Sequence, residues 1–411
     1  MTLDELKGKK VGVCVSGGLD SRTICCVLRE AGVEVAAFSA DVGQPDEKNI
    51  NDIAKRMKPC GVTTTIVDVK ADMADICFET VKCQAMYDGG YWNSTGIARA
   101  VTTRALVPLM KKAGCVALVH GATGRGNDQM RFERYTNVID PKFGVYAPWR
   151  DSELLKKFPG RTEMVAYLAK HGIEAFVGTK KKYSTDANLA GLSHEAEDLE
   201  SMETSMRIVK PTMGVWPEDA PDKVEKVRLT FVKGRCVAVN GKAMDPLQVM
   251  LLVNKIGGRN GIGMKHALEN RIIGTKSRGV YEAPGMDVLS AGLRYLYEAV
   301  MDRRSTQLFT GLSKFVADQI YDGRWYDPAT RAARAAIQVW ADKANGEVTL
   351  GLYKGNIHFE ALKNCKATIY NEADSSMEAS NGLNPHSSQG FAEIQSVEAK
   401  MLAKSGQIVL K

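Results

Sequence analysis

The first 120 residues alternate between short apolar runs and segments with the periodicity of a helix. Residues 11–15 form a valine-rich run, and apolar residues then recur at helical spacing between Ile24 and Ala31. The same order repeats, with a helix predicted at 46–58 and three further apolar runs before residue 120. Strands that are joined by helices in this way form a parallel sheet covered on both faces. The sequence therefore predicts an α/β fold with a parallel, doubly wound sheet.

The alternation fades after about residue 170, and the remainder indicates an α+β domain. Two hairpins are predicted, with turns at Lys233-Gly234 and Gly355-Asn356, and the glycine-rich stretch 257–263 is predicted to be a loop. The last residues are polar with one segment of helical period, which is typical of a short C-terminal arm or an oligomer contact. The predicted parts are therefore 1–170, 171–365 and 366–411.

The composition is that of a globular protein with a large core, because 44% of the 411 residues are hydrophobic and 25% are charged. Lysine and arginine number 55 and aspartate and glutamate 48, which gives a net charge of +7. This mild excess is spread along the chain. It suits anionic small substrates as well as nucleic acid, so charge alone does not identify a partner.

The nine cysteines are scattered, without the Cys-x-x-Cys pairs of zinc or thiol-redox sites. No apolar run approaches the roughly 18 residues that a bilayer-spanning helix needs. The N-terminus also lacks the apolar stretch of a signal peptide. We therefore expect a soluble protein of a reducing cytoplasm, with no membrane partner.

The sequence SGGLDS at 16–21 lies between the first predicted strand and the first predicted helix. Adjacent glycines let backbone N–H groups approach an anion, and the following helix N-terminus adds a positive dipole end. The hydroxyl groups of Ser16 and Ser21 can donate to phosphate oxygens. A tight turn with Asp20 or Ser21 as helix cap is the alternative, but the combination of residues favours phosphate binding.

Other nucleotide motifs are absent: the chain has no G-x-x-x-x-G-K-[ST], and no G-x-G-x-x-G follows the first strand. A P-loop NTPase and an NAD dehydrogenase are therefore disfavoured. The loop instead resembles that of the ATP pyrophosphatase group, whose members cleave ATP between the α- and β-phosphates. The resemblance implies AMP and pyrophosphate as products.

A second polar loop, GATGRGNDQMRFE at 121–133, follows the fourth predicted strand. The carboxyl ends of parallel strands meet at one edge of a sheet, which is where doubly wound folds bind ligands. The loop supplies hydroxyl, amide, carboxylate and guanidinium groups. A glycine-rich surface loop would leave Asn127, Asp128 and Arg131 without a task, whereas an amino-acid substrate would engage all three.

Several blocks together resemble the argininosuccinate synthase family, in the family's order over most of the chain. They are SGGLDS at 16–21, TGIAR at 95–99, HGATGRGNDQMRFE at 120–133, KYSTDAN at 182–188, HEA at 194–196 and ENRIIGTKSRGVYE at 269–282. The resemblance implies an ATP-pyrophosphatase-type nucleotide-binding domain at 1–170, a synthetase domain at 171–365 and a tail or oligomerisation arm at 366–411. It also implies a homotetramer.

The implied reaction is the condensation of citrulline with aspartate through citrullyl-AMP, with MgATP as a substrate. No protein-bound metal and no nucleic-acid partner are expected, and no catalytic residue is assigned with certainty. Three sets of binding residues are carried over by motif. The ATP set is Ser16, Gly17, Gly18, Asp20, Ser21, Arg22, Ala40, Gly121, Thr123 and Asp186. The citrulline set is Tyr91, Asn127, Arg131, Ser184, Ser193, Glu195, Glu269 and Tyr281, and the aspartate set is Thr123, Asn127 and Asp128.

Three positions depart from the family's common pattern: Arg22 replaces a second hydroxyl residue after Asp20, and Gly96 and Ala100 stand where many members carry serine and proline. We expect Arg22 to act as a substitute phosphate ligand. Two alternatives stay open at this point. One is a paralogue that adenylates a tRNA base, and the other is a catalytically weak nucleotide-binding protein. His120 precedes the second loop, but a lone histidine at a strand end is more often structural.

Overall fold

The computed structural model describes residues 1–174, 183–378, 382–408 and 410. Lys182, which begins one of the family-like blocks, lies outside the described residues. The chain forms two compact units, Met1–Ala367 and Thr368–Lys411. The domain boundaries suggested above, at residues 170 and 365, stay predictions.

The first sheet is wholly parallel, with the strand order β3-β2-β1-β4-β5. Its strands are β1 (Lys10–Cys14), β2 (Glu34–Asp41), β3 (Thr64–Asp68), β4 (Ala117–His120) and β5 (Gly144–Tyr146). The direction of the strand order reverses between β1 and β4, and such a reversal opens a crevice at the carboxyl ends of the strands. The parallel α/β sheet predicted from the sequence is confirmed.

Eight helices accompany this sheet in the described part of the chain. They are α1 (Leu3–Leu6), α2 (Leu19–Glu30), α3 (Asp52–Met57), α4 (Lys70–Lys82), α5 (Ser94–Lys112), α6 (Asp128–Ile139), α7 (Ser152–Lys157) and α8 (Arg161–Lys170). The prediction of a helix over 46–58 was too long. The Asn49 side chain accepts a hydrogen bond from the Asn51 N–H at 3.1 Å, and such a local turn competes with helix formation.

Two antiparallel sheets follow. Their strands are β6 (Ser184–Asn188), β7 (Gly191–Glu195), β8 (Glu225–Val232), β9 (Arg235–Val239), β10 (Lys242–Ala243), β11 (Met264–Asn270), β12 (Lys276–Glu282), β13 (Gly346–Tyr353) and β14 (Asn356–Lys363). The strand orders are β10-β9-β8-β13-β14 and β11-β12-β7-β6. Both hairpins are confirmed, although the second turns at Lys354-Gly355, one residue earlier than predicted.

The remaining helices are α9 (Pro246–Arg259), α10 (Pro284–Val300), α11 (Arg303–Tyr321), α12 (Pro328–Ala341), α13 (Glu372–Ser375) and α14 (Pro385–Lys404). The prediction of a loop over 257–263 was wrong at its start, because Gly257 and Gly258 continue α9. A Cβ atom on Gly258 would lie 2.0 Å from the Met213 carbonyl oxygen. These glycines therefore allow close backbone approach rather than a chain reversal.

The sheet β11-β12-β7-β6 presents different side chains on its two faces. Ser193 and Glu195 of β7 line a cavity, while His194 between them is buried against Glu282, with 2.8 Å between Nε2 and Oε1. This follows from the two-residue period of a strand. One face of the sheet is thereby available for substrate, and the other is packed against the segment that follows β7.

Candidate active site

A cavity of about 440 Å³ lies at the carboxyl ends of β1, β2 and β4, in the crevice of the parallel sheet. Six residues predicted to bind ATP line it: Ser16, Asp20, Ser21, Ala40, Gly121 and Asp186. The position agrees with the rule that doubly wound sheets bind ligands where the strand order reverses.

The SGGLDS loop turns sharply from β1 into α2. The Ser16 N–H donates to Ser21 Oγ at 3.0 Å, and the two hydroxyl oxygens are 3.3 Å apart. Gly17 has φ +73°, which favours glycine, and a Cβ atom there would lie 2.7 Å from the Arg56 side chain. The loop therefore brings two hydroxyl groups and the N-terminus of a 12-residue helix to the floor of the cavity.

Asp20 is the acidic member of this loop. Burial raises the pKa of its carboxyl group. A carboxylate next to a polyphosphate is stable when a cation lies between them. Its position therefore suits ATP that carries Mg²⁺.

Arg22 does not take the position expected of a phosphate ligand. Arg22 is 4% exposed, and its guanidinium group donates to the carbonyl oxygens of Gly18 at 3.4 Å and Glu174 at 2.8 Å. It is also absent from the described residues that line the cavity. In this structure Arg22 attaches the first turn of α2 to the chain after α8, so its position does not support the role expected from the sequence.

His120 lines the same cavity but has the properties of a packed residue. Its ring stacks on Phe132 with 5.1 Å between centroids, and Nδ1 accepts a hydrogen bond from the Ala122 N–H. Burial lowers the pKa of His120 to about 4. The ring is therefore neutral at pH 7 and gives no positive charge to a phosphate.

A second cavity, of about 600 Å³, adjoins the first and shares Gly121, Asp128 and Asp186 with it. All three residues predicted to bind aspartate line it, and so do seven of the eight predicted to bind citrulline. They are Thr123, Asn127, Asp128, Tyr91, Arg131, Ser184, Ser193, Glu195 and Glu269. The residues predicted to bind ATP and those predicted to bind the two amino acids therefore line one continuous space.

The eighth predicted citrulline residue, Tyr281, lies one layer behind the cavity. Its ring stacks on Tyr91 with 3.9 Å between centroids, and Tyr91 itself borders the space. The Tyr91 hydroxyl accepts a hydrogen bond from the Thr95 N–H at 3.3 Å. In this structure Tyr281 therefore orients Tyr91.

Asn127 and Arg131 are held by groups from the second half of the chain. The Asn127 side chain donates to the Tyr321 hydroxyl at 2.8 Å and accepts from the Ile272 N–H at 3.1 Å. Arg131 Nε donates to the Tyr321 carbonyl oxygen at 2.9 Å. Arg131 Nη2 is buried without a hydrogen-bond partner among the described residues. A buried donor of this kind suits an anionic ligand group.

Two acids face these groups, of which Glu269 is buried and Glu195 is partly buried. Burial raises the pKa of Glu195 to about 7, with further contributions from Glu269 and Asp128. Burial also raises the pKa of Glu269, whose Oε2 has no hydrogen-bond partner among the described residues. Such carboxylates are stabilised when a ligand supplies a positive charge. The second cavity can therefore bind a molecule with both an ammonium and a carboxylate group.

Arg99 joins the two cavities and was missed as a site residue from the sequence. Its Nε donates to Asp128 Oδ2 at 2.9 Å, and its Nη2 bonds Asp186. Arg131 Nη1 binds the other Asp128 oxygen at 2.8 Å. Burial alone would raise the pKa of Asp128, but the two guanidinium groups outweigh it and lower that pKa. The TGIAR block was the only signal, since Arg99 lies inside α5.

Gly96, the second departure from the common pattern, lies where α5 meets the end of α11. A Cβ atom there would be 3.1 Å from the Ile320 carbonyl oxygen and 3.7 Å from Arg131 Cζ. A larger residue would require Ile320 to shift by a few tenths of an ångström. Gly96 is thus matched to close packing beside the second cavity.

Two protein-family models match this chain, one in its N-terminal part and one in its C-terminal part. Residues 10–174 match the model described as the arginosuccinate synthase N-terminal HUP domain, and residues 183–402 match the arginosuccinate synthase C-terminal domain. The chain belongs to the argininosuccinate synthase family. This supports the family resemblance seen in the sequence and not the tRNA-modifying alternative.

Relatives within the family match along nearly their whole length. The argininosuccinate synthase of Rhodopirellula baltica is 37% identical over 396 residues, which cover 96% of this chain and 98% of that protein. Those of Shewanella halifaxensis and Shewanella piezotolerans are both 36% identical, over 407 and 406 residues, and each covers 97% of this chain. The alignments cover 96% and 97% of these two proteins. Among the described residues, no helix has the length and apolar character needed to span a bilayer.

Proposed function

We propose that this chain is an argininosuccinate synthase that joins citrulline and aspartate at the expense of ATP. The observation that carries the proposal is the continuity of the two cavities through Gly121, Asp128 and Asp186. A nucleotide held by the SGGLDS loop and an amino acid held by the second cavity would meet at this point.

In the first step, the ureido oxygen of citrulline attacks the α-phosphorus of MgATP, and pyrophosphate leaves. Ser16, Ser21 and the backbone N–H groups at the start of α2 would bind the departing pyrophosphate. A ureido oxygen is a weak nucleophile, so alignment and stabilisation of charge on the leaving group are the main contributions. Mg²⁺ carried by ATP would neutralise part of that charge.

Citrulline would occupy the second cavity. Its ammonium group suits the carboxylates of Glu195 and Glu269, and its carboxylate suits Arg131 Nη2, which has no hydrogen-bond partner among the described residues. Ser184 and Ser193 add hydroxyl groups along the same wall. These contacts would fix the amino-acid end and leave the ureido end for the nucleotide.

In the second step, the amine of aspartate attacks the ureido carbon of citrullyl-AMP, and AMP leaves with the former ureido oxygen. Thr123, Asn127 and Asp128 line the cavity where aspartate would bind. The amine loses a proton during the attack, and phosphate oxygens of the leaving AMP are acceptors of suitable basicity. No side-chain nucleophile is required.

The proposal extends to a homotetramer in the cytoplasm. In the unit Thr368–Lys411, helix α14 exposes an apolar stripe at Phe391, Ile394, Val397 and Met401, which suits contact with another copy of the chain. All nine cysteines are free thiols, which suits a reducing compartment. Sedimentation analysis of the purified protein would measure the oligomeric state.

The function is tested by measuring pyrophosphate release from ATP with each amino acid omitted in turn. We expect sustained release only when citrulline and aspartate are both present, with AMP formed in equal amount. Release without citrulline, or with a different acceptor in its place, would contradict the proposal.

A further inference from the structure

The turn that follows β7 has an unfavourable backbone conformation. Ala196 has φ 68° and ψ 179°, and the next residue, Glu197, has φ 53°. Residues other than glycine rarely adopt the backbone angles of Ala196, because their Cβ atom would clash with the backbone. The surrounding structure must therefore hold this turn in place.

The strained turn lies at the edge of the second cavity. Glu195 immediately precedes it, and Glu195, Ala196 and Glu200 all line that space. From there the chain passes to the opposite face of the sheet, where Leu199 is fully buried beside Val280. A change in the turn would thus move carboxylates that face the ligand.

The side chain of Arg278, in β12, binds backbone carbonyl oxygens of this segment. Nη1 donates to the carbonyl oxygens of Leu199, at 3.1 Å, and of Ser201, and Nη2 donates to that of Thr204 at 2.7 Å. Nε donates to His266 Nε2 at 3.0 Å, which orients the guanidinium group. The planar fork of an arginine can make this set of bonds, whereas a lysine ammonium cannot reproduce it.

The strand that carries Arg278 also pairs with the cavity wall. Gly279, the next residue, is opposite Glu195 in the antiparallel register of β12 and β7. Arg278 is not among the described residues that line the second cavity. An effect of Arg278 on the cavity is therefore indirect, through the segment that it binds and the strand that carries it.

We propose that Arg278 is a positioning residue of the citrulline site. By binding three carbonyl oxygens of the segment 199–204, it keeps the turn at Ala196 and Glu197 in its strained conformation and Glu195 at the cavity wall. The proposal rests on the function proposed above. Its specific consequence is that loss of Arg278 weakens citrulline binding and leaves ATP binding intact.

The test compares Arg278→Gln and Arg278→Lys with Arg207→Gln as a matched control. Arg207 belongs to the same part of the chain but pairs with Glu218 at the surface. We expect Arg278→Gln to raise the citrulline KM by about tenfold, with the ATP KM within about twofold of wild type. Arg278→Lys should lie between, and Arg207→Gln should match wild type. Thermal unfolding would show that each variant is folded.

A second readout does not depend on activity. A protease that cleaves after glutamate reports release of the segment through cuts after Glu200 and Glu203, located by mass spectrometry. We expect these cuts to be about ten times faster in Arg278→Gln than in wild type. Equal cleavage rates would overturn the inference about Arg278. A wild type without citrulline-dependent pyrophosphate release would instead overturn the proposed function.

Strain at Ala196 provides a third comparison. Glycine adopts its backbone angles freely, so Ala196→Gly should reduce the need for the bonds from Arg278. In that background we expect Arg278→Gln to raise the citrulline KM by less than about threefold. A citrulline KM of Arg278→Gln within twofold of wild type, or an equal rise of the citrulline and ATP KM values, would contradict the positioning role.

Discussion

Arg99 and Asp128 are joined by a hydrogen bond of 2.9 Å between Nε and Oδ2, at the point where the two cavities meet. The same guanidinium group binds Asp186. Three charged groups therefore share one site, and the position of each depends on the others.

Replacing Arg99 by Gln should lower the stability of the protein and weaken its use of ATP and aspartate. We expect the free energy of unfolding to fall by about 2–3 kcal/mol, because Asp186 and Asp128 lose a buried partner. The KM values for ATP and aspartate should both rise. Urea unfolding and pyrophosphate release would measure these effects. Arg104→Gln, on the same helix but paired with Asp72 at the surface, should cost less than about 1 kcal/mol.

Asp128→Asn should weaken the use of aspartate far more than the binding of ATP. The ammonium group of aspartate requires a nearby carboxylate, and a charge-assisted contact is worth about 1.5–3 kcal/mol. The aspartate KM should therefore rise by about ten- to a hundredfold. Glu133→Gln is the matched control, since Glu133 lies on the same helix and binds Arg150 at the surface. An aspartate KM equal to that of the control would remove Asp128 from the aspartate site.

Citrulline use should depend on pH through Glu195. Its pKa of about 7 means that the carboxyl group is largely neutral at pH 6 and charged at pH 8. Only the charged form attracts an ammonium group, so kcat/KM for citrulline should fall as pH decreases through 7. Glu195→Gln should have a low kcat/KM for citrulline that does not change with pH around 7. A wild-type profile that is flat between pH 6 and 8 would contradict the assignment.

The same group has an opposite effect on stability. A carboxyl pKa raised in the folded state means that the folded protein binds the proton more tightly than the unfolded chain. The contribution of Glu195 to stability is therefore present at low pH and lost as pH rises toward 7. Urea unfolding at pH 5 and pH 8 should show that Glu195→Gln gains stability relative to wild type at the higher pH.

The variant Arg22→Ala distinguishes a role in phosphate binding from a structural role in α2. Its bonds to the Gly18 and Glu174 carbonyl oxygens predict that Arg22→Ala lowers the free energy of unfolding by about 2 kcal/mol and leaves the ATP KM within about twofold. Arg29→Ala, which loses the bond to the Cys60 carbonyl oxygen at the other end of the helix, is the control. A tenfold rise of the ATP KM in Arg22→Ala alone would restore the phosphate role expected from the sequence.

The first sheet could be predicted because its signals are local. The valine-rich strand, the helical spacing after it and the SGGLDS turn all lie within about 20 residues, and each has a physical reason that needs no distant contact. The shorter helix α3 shows the limit, because the Asn49 side chain competes for a backbone N–H that periodicity ignores. Glycines at Gly257 and Gly258 mislead for a related reason, since their purpose depends on Met213 and Pro284.

The candidate site was predictable where polar groups form a motif and not where folding creates the contact. Asn127 and Arg131 are conspicuous in the polar stretch 121–133, of which α6 includes the part from Asp128 onward, but their partner Tyr321 lies about 190 residues away. Arg99 is one charge inside a helix, and its bond to Asp186 exists only after β6 packs beside α5. The hydrogen bonds of Arg278 likewise form only once the segment after β7 packs against β12.

If the ureido oxygen of citrulline attacks the α-phosphorus of ATP, that oxygen becomes part of AMP, and labelling it with ¹⁸O follows its transfer. Citrulline carrying ¹⁸O in its ureido group is incubated with ATP, aspartate and the wild-type protein, and the AMP is analysed by mass spectrometry. We expect one ¹⁸O atom in each AMP, since that oxygen leaves with the nucleotide when the aspartate amine displaces AMP. Unlabelled AMP formed in the presence of labelled citrulline would contradict it.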